Sequence, residues 1–264
     1  MAIRKPIFVV PLDLGTVVCG NARSSNPVFN LARNREAGLI WKTDGNSNVW
    51  ARGVFSSTQA IDFCSLMAAN AQSGTTIRLR LGTTQAEVDG TAPYDSGTVA
   101  FINPAITRDD GLYHSHLEIG SVQNALWWRI DIGGHTGDFE ASVLVLGKQI
   151  VPGRFYNYEF ERGIEDMGEL SFNRWGAPDE TPGMMMRSLN FTLGWMSEAE
   201  YEASFRPMFE KVGRRGAVYI CFDPDSSTYR QSKTYLGPFR KAPFARGLKK
   251  PSTYTVDFEM LSVL

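Results

Sequence analysis

The chain has 264 residues and sets 27 Lys and Arg against 28 Asp and Glu, a formal charge of -1. That length buries one large β core or two ordinary ones, and the near-zero balance excludes a global pull toward nucleic acid or an acidic membrane, leaving only local patches. Three cysteines, Cys19, Cys64 and Cys221, odd in number and far apart, argue against a disulfide framework.

The first 27 residues predict an N-terminal arm that pairs with the C-terminal module. Their apolar run is interrupted by Pro6 and Pro11 and is too short for an export signal. No stretch of the chain reaches the roughly 20 apolar residues that span a bilayer. Synthesis in a cytoplasm, with reduced and buried thiols, is the expectation. From residue 28 to 150, short apolar runs broken by Gly, Asn, Asp and Ser predict a β-sandwich. Ile77, Leu79 and Leu81 alternate with Arg78 and Arg80, and Trp128, Ile130 and Ile132 alternate with Trp127, Arg129 and Asp131. Ile61 to Ala69 reads as a buried strand rather than a helical turn. Gly133 to Gly137 follows a β pattern with no helix behind it, which makes it a turn and not a dinucleotide loop.

Within this stretch His114, His116 and Glu118 are spaced by two, so a strand would set two imidazoles and a carboxylate on one face. Such a set can hold Zn²⁺ or Fe²⁺ if a fourth ligand such as His135 arrives from elsewhere. The competing reading is a solvated polar face beside the Asp109-Asp110-Gly111 turn.

Residues 151 to 186 predict a packed joint between modules, with Gly and Pro breaking regular structure and Phe155, Phe160, Leu170, Phe172 and Trp175 supplying apolar mass. Met184 to Met186 read as adaptable packing. The pairs Glu165/Asp166 and Asp179/Glu180 lie in these polar loops. A glycosidase would need two acids facing one another across a cleft, which spacing in sequence does not supply. No nucleophile elbow and no P-loop is present, so no catalytic residue and no cofactor is expected.

The segment from 187 onward reads as strand, helix, hairpin and closing strand. Leu189, Phe191, Leu193 and Trp195 alternate with polar residues. Ser197 and Glu200 have the spacing of a capping box, Met196 and Tyr201 that of the accompanying staple, and Tyr201, Phe205, Met208, Phe209 and Val212 share one helical face ending at Gly213. Pro207 predicts a kink or a restarted turn, since a mid-helix proline costs about 3 kcal/mol. Asp223 to Ser227 forms the turn of a hairpin. From 237 to 251, Arg240, Lys241, Arg246, Lys249 and Lys250 interleave with Phe239, Phe244 and prolines. This basic loop serves either as a dock for an adjacent subunit or as a solvated loop, with a nucleic-acid strip the weaker choice because no module of that kind surrounds it. The alternating end, Tyr254 to Met260, predicts a sheet strand.

The succession Asn30-Leu31, Trp41, Trp50, Gly53-Val54-Phe55, Ala60-Ile61-Asp62, Ala69-Asn70, Ile77-Arg78-Leu79 and Trp128-Arg129-Ile130-Asp131-Ile132 resembles the discoidin-like (galactose-binding-like) jelly roll over residues 28 to 150. The plan from Arg187 to Leu264, with its Trp195-Met196-Ser197-Glu198-Ala199-Glu200 cap, Asp223-Pro224 turn and final Val256-Asp257-Phe258-Glu259 strand, is similar to a module of tailed-phage tail-tip and baseplate proteins. The resemblance implies a mainly β protein, a jelly-roll β-sandwich plus a second β module over 151 to 264 with one amphipathic helix.

It also implies a structural, non-enzymatic part of a virion tail, partnered by copies of itself and by neighbouring tail proteins, with Arg240, Phe244, Arg246 and Lys249 at a subunit interface. The alternative is a carbohydrate-binding module for a host surface glycan, in which Trp127, Arg129 and Asp131 stack on and hydrogen-bond a sugar ring. Trp127 otherwise packs beneath neighbouring protein. Neither nucleic acid nor membrane insertion is expected.

Overall fold

A computed structural model describes residues 4–248 and 250–263. The protein is mainly β, built from antiparallel sheets, and divides into two units: Met1–Val151 with Val218–Thr234, and Pro152–Ala217 with Tyr235–Leu264. Among the described residues no helix is long and apolar enough to cross a membrane.

The first unit is a jelly-roll β-sandwich organised around two long strands, Trp50–Met67 and Leu117–Gly133. They pair antiparallel over two stretches. Trp50 to Val54 lies opposite Asp131 to Trp127, and Gln59 to Cys64 opposite Ala125 to Leu117, with a register shift between Val54 and Gln59. Extra residues on one strand sharpen its bend and twist. Side chains of both stretches, among them Ala51, Ile61, Cys64, Leu117, Trp128 and Ile130, enter one core. Thr76–Gly82 extends the pair at one end and Val143–Gly147 at the other. Ile61 to Met67 is therefore strand, and its two faces are both buried where Val143–Gly147 covers it.

Gly53 has a packing reason. A Cβ there would meet the Trp128 ring at 2.6 Å, and Trp128 is fully buried with its Nε1–H donating to Leu14 O at 3.3 Å.

The described part of the N-terminal 27 residues pairs with the C-terminal stretch, as expected, but is also built into the first unit and does not stand as a separate arm. Thr16–Cys19 pairs with the long strand Trp50–Met67, and Ile7–Val9 lies between Gln149–Ile150 and Val218–Cys221. That last pairing corrects the expected domain division. Residues 218 to 234 return to the first unit, because Phe8 and Ile220 face each other in a ladder that no local pattern announces. The connection after Val218–Cys221 is longer than the five-residue turn expected: it runs through a 3-10 turn at Gln231–Lys233, is closed by Phe222 N–H donating to Lys233 O at 2.9 Å and by Lys233 pairing with Asp223, and the returning strand is Thr234–Gly237.

Cys64 and Cys221 are buried free thiols, and desolvation pushes them up to about 12 and about 11 respectively. Unionised at neutral pH, they are neither nucleophiles nor ready ligands.

The second unit contains the sheet with strand order Glu161–Asp166, Met185–Ser197, Thr253–Ser262, Ala245–Gly247. Phe191 and Phe258 are direct cross-strand partners, and their rings stack at 4.9 Å and 9°. The helical segment Glu198 to Val212 packs over this pair: Phe205 and Phe209 approach Phe258 at 6.2 and 5.9 Å, and Tyr201 stacks on Tyr254 at 5.1 Å. Phe205, Met208 and Val212 are buried, as the apolar stripe requires.

Pro207 is accommodated by a change of helical pitch. Tyr201–Phe205 is a π turn in which Arg206 N–H donates to Tyr201 O, and the helix restarts as Arg206–Val212 with proline in its first positions. There the missing N–H leaves no bond broken. The cap is half of the expected box. Ser197 Oγ accepts from Glu200 N–H at 3.2 Å, but the Glu200 carboxylate turns to Gly153 N–H at 2.7 Å. Gly213 ends the helix at φ 54°.

Trp195 departs from its expected inward phase. A register shift between Leu193 and Met196 sets Trp195 at φ 56°, 55% exposed, and turns Met196 into the core instead.

Truncation of the stacked pair tests this packing. Phe258→Ala should destabilise the second unit by about 3 to 5 kcal/mol, and Ser197→Ala by about 1 kcal/mol. Urea unfolding followed by a probe in that unit measures both, and a negligible loss for Phe258→Ala would contradict the assignment of the core.

Candidate functional site

The residues expected to form a packed joint instead form an exposed arm. Glu161–Asp166 pairs with Met185–Ser197, and beyond it Glu169–Phe172 and Pro178–Thr181 make a hairpin whose four register pairs run from Glu169 opposite Thr181 to Phe172 opposite Pro178. Its turn is fixed by Asn173 Oδ1, which accepts the N–H groups of Trp175 and Ala177 at 3.0 and 3.1 Å, and by Gly176 at φ 78°. This holds Trp175 at the tip, with the Arg174 guanidinium 3.8 Å over its ring.

Ile164 is 70% exposed, Phe172 65% and Trp175 75%, and Leu170, Met184 and Met185 are similarly open. A two-stranded hairpin has no second layer to bury its own side chains. Six large exposed apolar side chains on one segment are more than singly scattered surface residues, and concentrations of this kind mark interaction sites in folded proteins.

The arm is also acidic. Residues 155 to 186 carry seven carboxylates against two guanidiniums, a net -5. Asp166, Glu169 and Glu180 line a cavity of about 360 Å³ on it.

The basic loop of the same unit lies toward the other sheet edge. Arg240 pairs with Glu165 at 2.9 Å, Lys241 with Glu259 at 2.7 Å, and Arg246 with Asp257 at 3.6 Å. All three cations remain largely in solvent, so these pairs contribute little. Phe244 is exposed beneath the Arg246 guanidinium, 4.8 Å from its ring centre. Lys249 lies outside the described residues. Arg214, Arg240 and Lys241 line a second cavity of about 410 Å³.

On the first unit, Trp127, Arg129 and Asp131 are neighbours but do not form an open platform. Arg129 bridges Asp131 and Asp89 at 2.7 and 2.6 Å, and Asp131 also receives Arg80 at 2.7 Å. Arg52 completes the lattice by pairing with Asp89 and lies 6.0 Å from the Trp127 ring centre, while Arg129 covers Trp50 at 4.5 Å. Donors and acceptors that a sugar would use are engaged here with one another. Asp89 comes from the short helix Gln85–Asp89, an element beyond those expected, whose signal in the sequence is the full capping box of Thr84 and Glu87.

The histidines do not assemble into a metal centre. His114 lies before the strand rather than in it, and its Nδ1 accepts Ala68 N–H at 3.0 Å. His116 Nε2 meets Glu118 at 3.1 Å, Glu118 is held by Arg4, and His135 contacts Thr75 and the Asp138 carbonyl. Among the described residues no group of three His, Cys, Asp or Glu side chains is placed to hold a metal.

A denser polar mesh joins several loops of the first unit. Asp138 accepts Gly45 N–H at 2.8 Å and pairs with Arg23, which also approaches Asp44 at 3.6 Å. Asn21 bridges the Asp44 and Ser47 carbonyls at 2.9 and 3.0 Å, and Gln72 bonds Thr136. The Gly45 N–H, outweighing partial desolvation, together with Arg23 and Lys42 lowers the Asp138 carboxyl from its ordinary range.

No protein-family model matches the chain, and no curated protein matches its sequence. Solved structures similar to about half of it include a fucose-binding module of Streptococcus pneumoniae, with 7% identity, 52% of this chain and 95% of that one covered, and a TM-score of 0.39. A second is CBM32-1 from a family 31 glycoside hydrolase of Clostridium perfringens, at 10% identity, covering 53% and 96%, with a TM-score of 0.41. A third is reduced XRCC1 bound to the DNA polymerase β catalytic domain, at 13% identity, covering 52% and 99%, with a TM-score of 0.38. These are likenesses of chain course and say nothing of ligand.

The Glu118 contacts give a pH signature. Burial opposes its ionisation, but hydrogen bonds from His116 and Arg4 prevail and lower its carboxyl from 4.5 to about 2. Stability from this group is therefore fully present above pH 4.5 and is lost as pH falls toward 2. Burial lowers His116, so the fold also loses stability as pH drops through the ordinary imidazole value of 6.5. Glu118→Gln should be less stable than wild type at pH 7, with the gap closing between pH 4.5 and about 2. Urea midpoints at several pH values measure it, and a gap independent of pH would refute the assignment.

Proposed function

We propose that this chain is a structural part of a larger protein assembly, of the tail-tip or baseplate kind found in phage virions, and that it has no catalytic turnover. The observation behind this reading is the arm of the second unit, which offers Ile164, Leu170, Phe172, Trp175 and Met185 to solvent on a scaffold with no layer to cover them. Each fully covered side chain of this size is worth about 1.5 to 3 kcal/mol, so another protein surface gains by taking them. Aromatic residues and methionine are the types enriched where proteins meet. Phe244 and Arg246, beside and on the opposite outer strand, serve the same purpose, while Arg240 of the same loop reaches across to Glu165.

The virion tail is the finer part of the proposal and rests on the sequence resemblance from residue 187 onward. Gold labelling of this chain on intact particles tests it: label confined to the tail tip is expected, and particles without label would refute it. The arm is tested separately. Phe172→Ser with Trp175→Ser should leave both units folded, because neither side chain is in a core, and should abolish incorporation into particles.

The loop mesh of the first unit favours a second reading, recognition of a glycan by the jelly roll. Arg23 and Asp44, with side chains 43% and 82% exposed on neighbouring loops, keep hydrogen-bonding capacity for a polyhydroxylated ligand, whereas Asn21 and Gln72 are saturated by the Asp44 and Ser47 carbonyls and by Thr136 and serve to hold those loops in place. Trp127, Arg129 and Asp131, engaged with each other and with Arg52, Asp89 and Arg80, contribute less. Saturable binding on a glycan array should then be lost in Arg23→Ala and retained in Trp127→Ala. An array without signal removes this reading and leaves the first unit as a spacer.

A further inference from the structure

We infer that copies of this chain join head to tail, the acidic apolar arm of one copy docking on the basic loop of the next. This rests on the assembly reading above and specifies its partner as a second copy of the chain.

Three observations within the second unit converge on it. The sheet has two outer strands, Glu161–Asp166 and Ala245–Gly247, so one edge continues into the arm and the other into the basic loop. Outer strands expose unpaired backbone groups and are natural sites of addition. The charge is segregated between them. The arm carries a net -5 from seven acids and two bases over residues 155 to 186, and residues 237 to 251 carry five bases and no acid, a net +5. Finally, each side has a cavity of matching character and comparable size, about 360 Å³ beside Asp166, Glu169 and Glu180, and about 410 Å³ beside Arg214, Arg240 and Lys241.

Apolar surface also accompanies the basic side, where Phe244 is exposed beside Pro243, so the contact need not be ionic alone. A two-fold contact of arm with arm would set like charge against like, and the same holds for loop with loop. Only the unlike pairing gains from the electrostatics. The Arg240–Glu165 pair within one copy does not block it, since Arg240 remains more than half exposed and such a pair is cheaply exchanged. Such an unlike contact closes a pair where it is made reciprocally, and otherwise repeats in one direction, giving a ring where the rotation closes and a filament where it does not.

Charge exchange in the full-length chain tests the inference. Glu169→Lys with Glu180→Lys takes the charge lining the arm's cavity from -3 to +1, and Arg240→Glu with Lys241→Glu takes that lining the loop's cavity from +3 to -1. In sedimentation velocity, wild type should form higher-order species that weaken as salt rises. Each double variant alone should lose self-association by about a hundredfold or more, like-charge juxtapositions costing several kcal/mol. The equimolar mixture of the two should recover it, because the normal arm of one meets the normal loop of the other and the two reversed surfaces also match. A misfolded variant could not be rescued by mixing.

A mixture that stays dissociated, or a double variant that associates like wild type, overturns the inference. Wild type that remains monomeric at all concentrations overturns it too, while gold label on tail tips would still support assembly with a different protein.

Discussion

The pairing of Trp50–Met67 with Leu117–Gly133 is the interaction on which the first unit depends. Each strand is long enough to serve both stretches of the ladder, and the shift between Val54 and Gln59 lets them bend so that both stretches look into one core. Everything else in that unit is added to this pair. Thr76–Gly82 and Val143–Gly147 find their hydrogen-bonding partners on it. The lattice of Arg52, Asp89, Arg129 and Asp131 crosses it, and Asp62 on its first strand binds Gln149 N–H at 2.6 Å, tying in the chain just before it leaves the unit. The loop mesh around Asp138 is placed by the same frame, because Asn70 and His135 follow directly from the strand ends.

The second unit meets the opposite constraint. Its single helical segment is long enough to cover Phe258 and its neighbours, and the sheet there is complete. The arm extends past that cover. Its apolar side chains have the same identities as core residues elsewhere in the chain, and they differ only in having nothing over them. Stability and interaction are thus divided between the two parts of one sheet: the helix-covered part needs no partner to fold, and the uncovered part gains by having one.

Local chemistry was legible in the sequence and non-local pairing was not. The helix face, its Gly213 stop and the Ser197 cap follow from spacing over a single turn, and each is found in place. Trp195 and Met196 exchange phase because a bulge adds a residue, and alternation cannot register that. Residues 218 to 234 belong with the N-terminal strand because Phe8 meets Ile220 across more than two hundred residues of sequence, a distance over which no pattern carries information. The exposed arm differs from the expected packed joint for another reason. Phe172 and Trp175 signal burial by type, and type does not say whether the cover comes from the same chain. His114, His116 and Glu118 fail as a set because the strand begins only at Leu117, so the period of two was counted across a segment that is not extended strand throughout.

Net charge misleads in a similar way. A total of -1 excludes attraction to a uniformly charged partner, yet it is the sum of an acidic arm, a basic loop and a remainder close to neutral. Electrostatic attraction falls off within about 10 Å at ordinary salt, so a docking surface responds to the charges lying against it and not to the total. A chain with separated and opposite patches has no net charge to draw it to a uniformly charged partner, while each patch can still meet a surface of the opposite sign, which is the basis of the proposed contact between copies. Near-neutral composition and the proposed self-recognition would then be two consequences of one arrangement of charge.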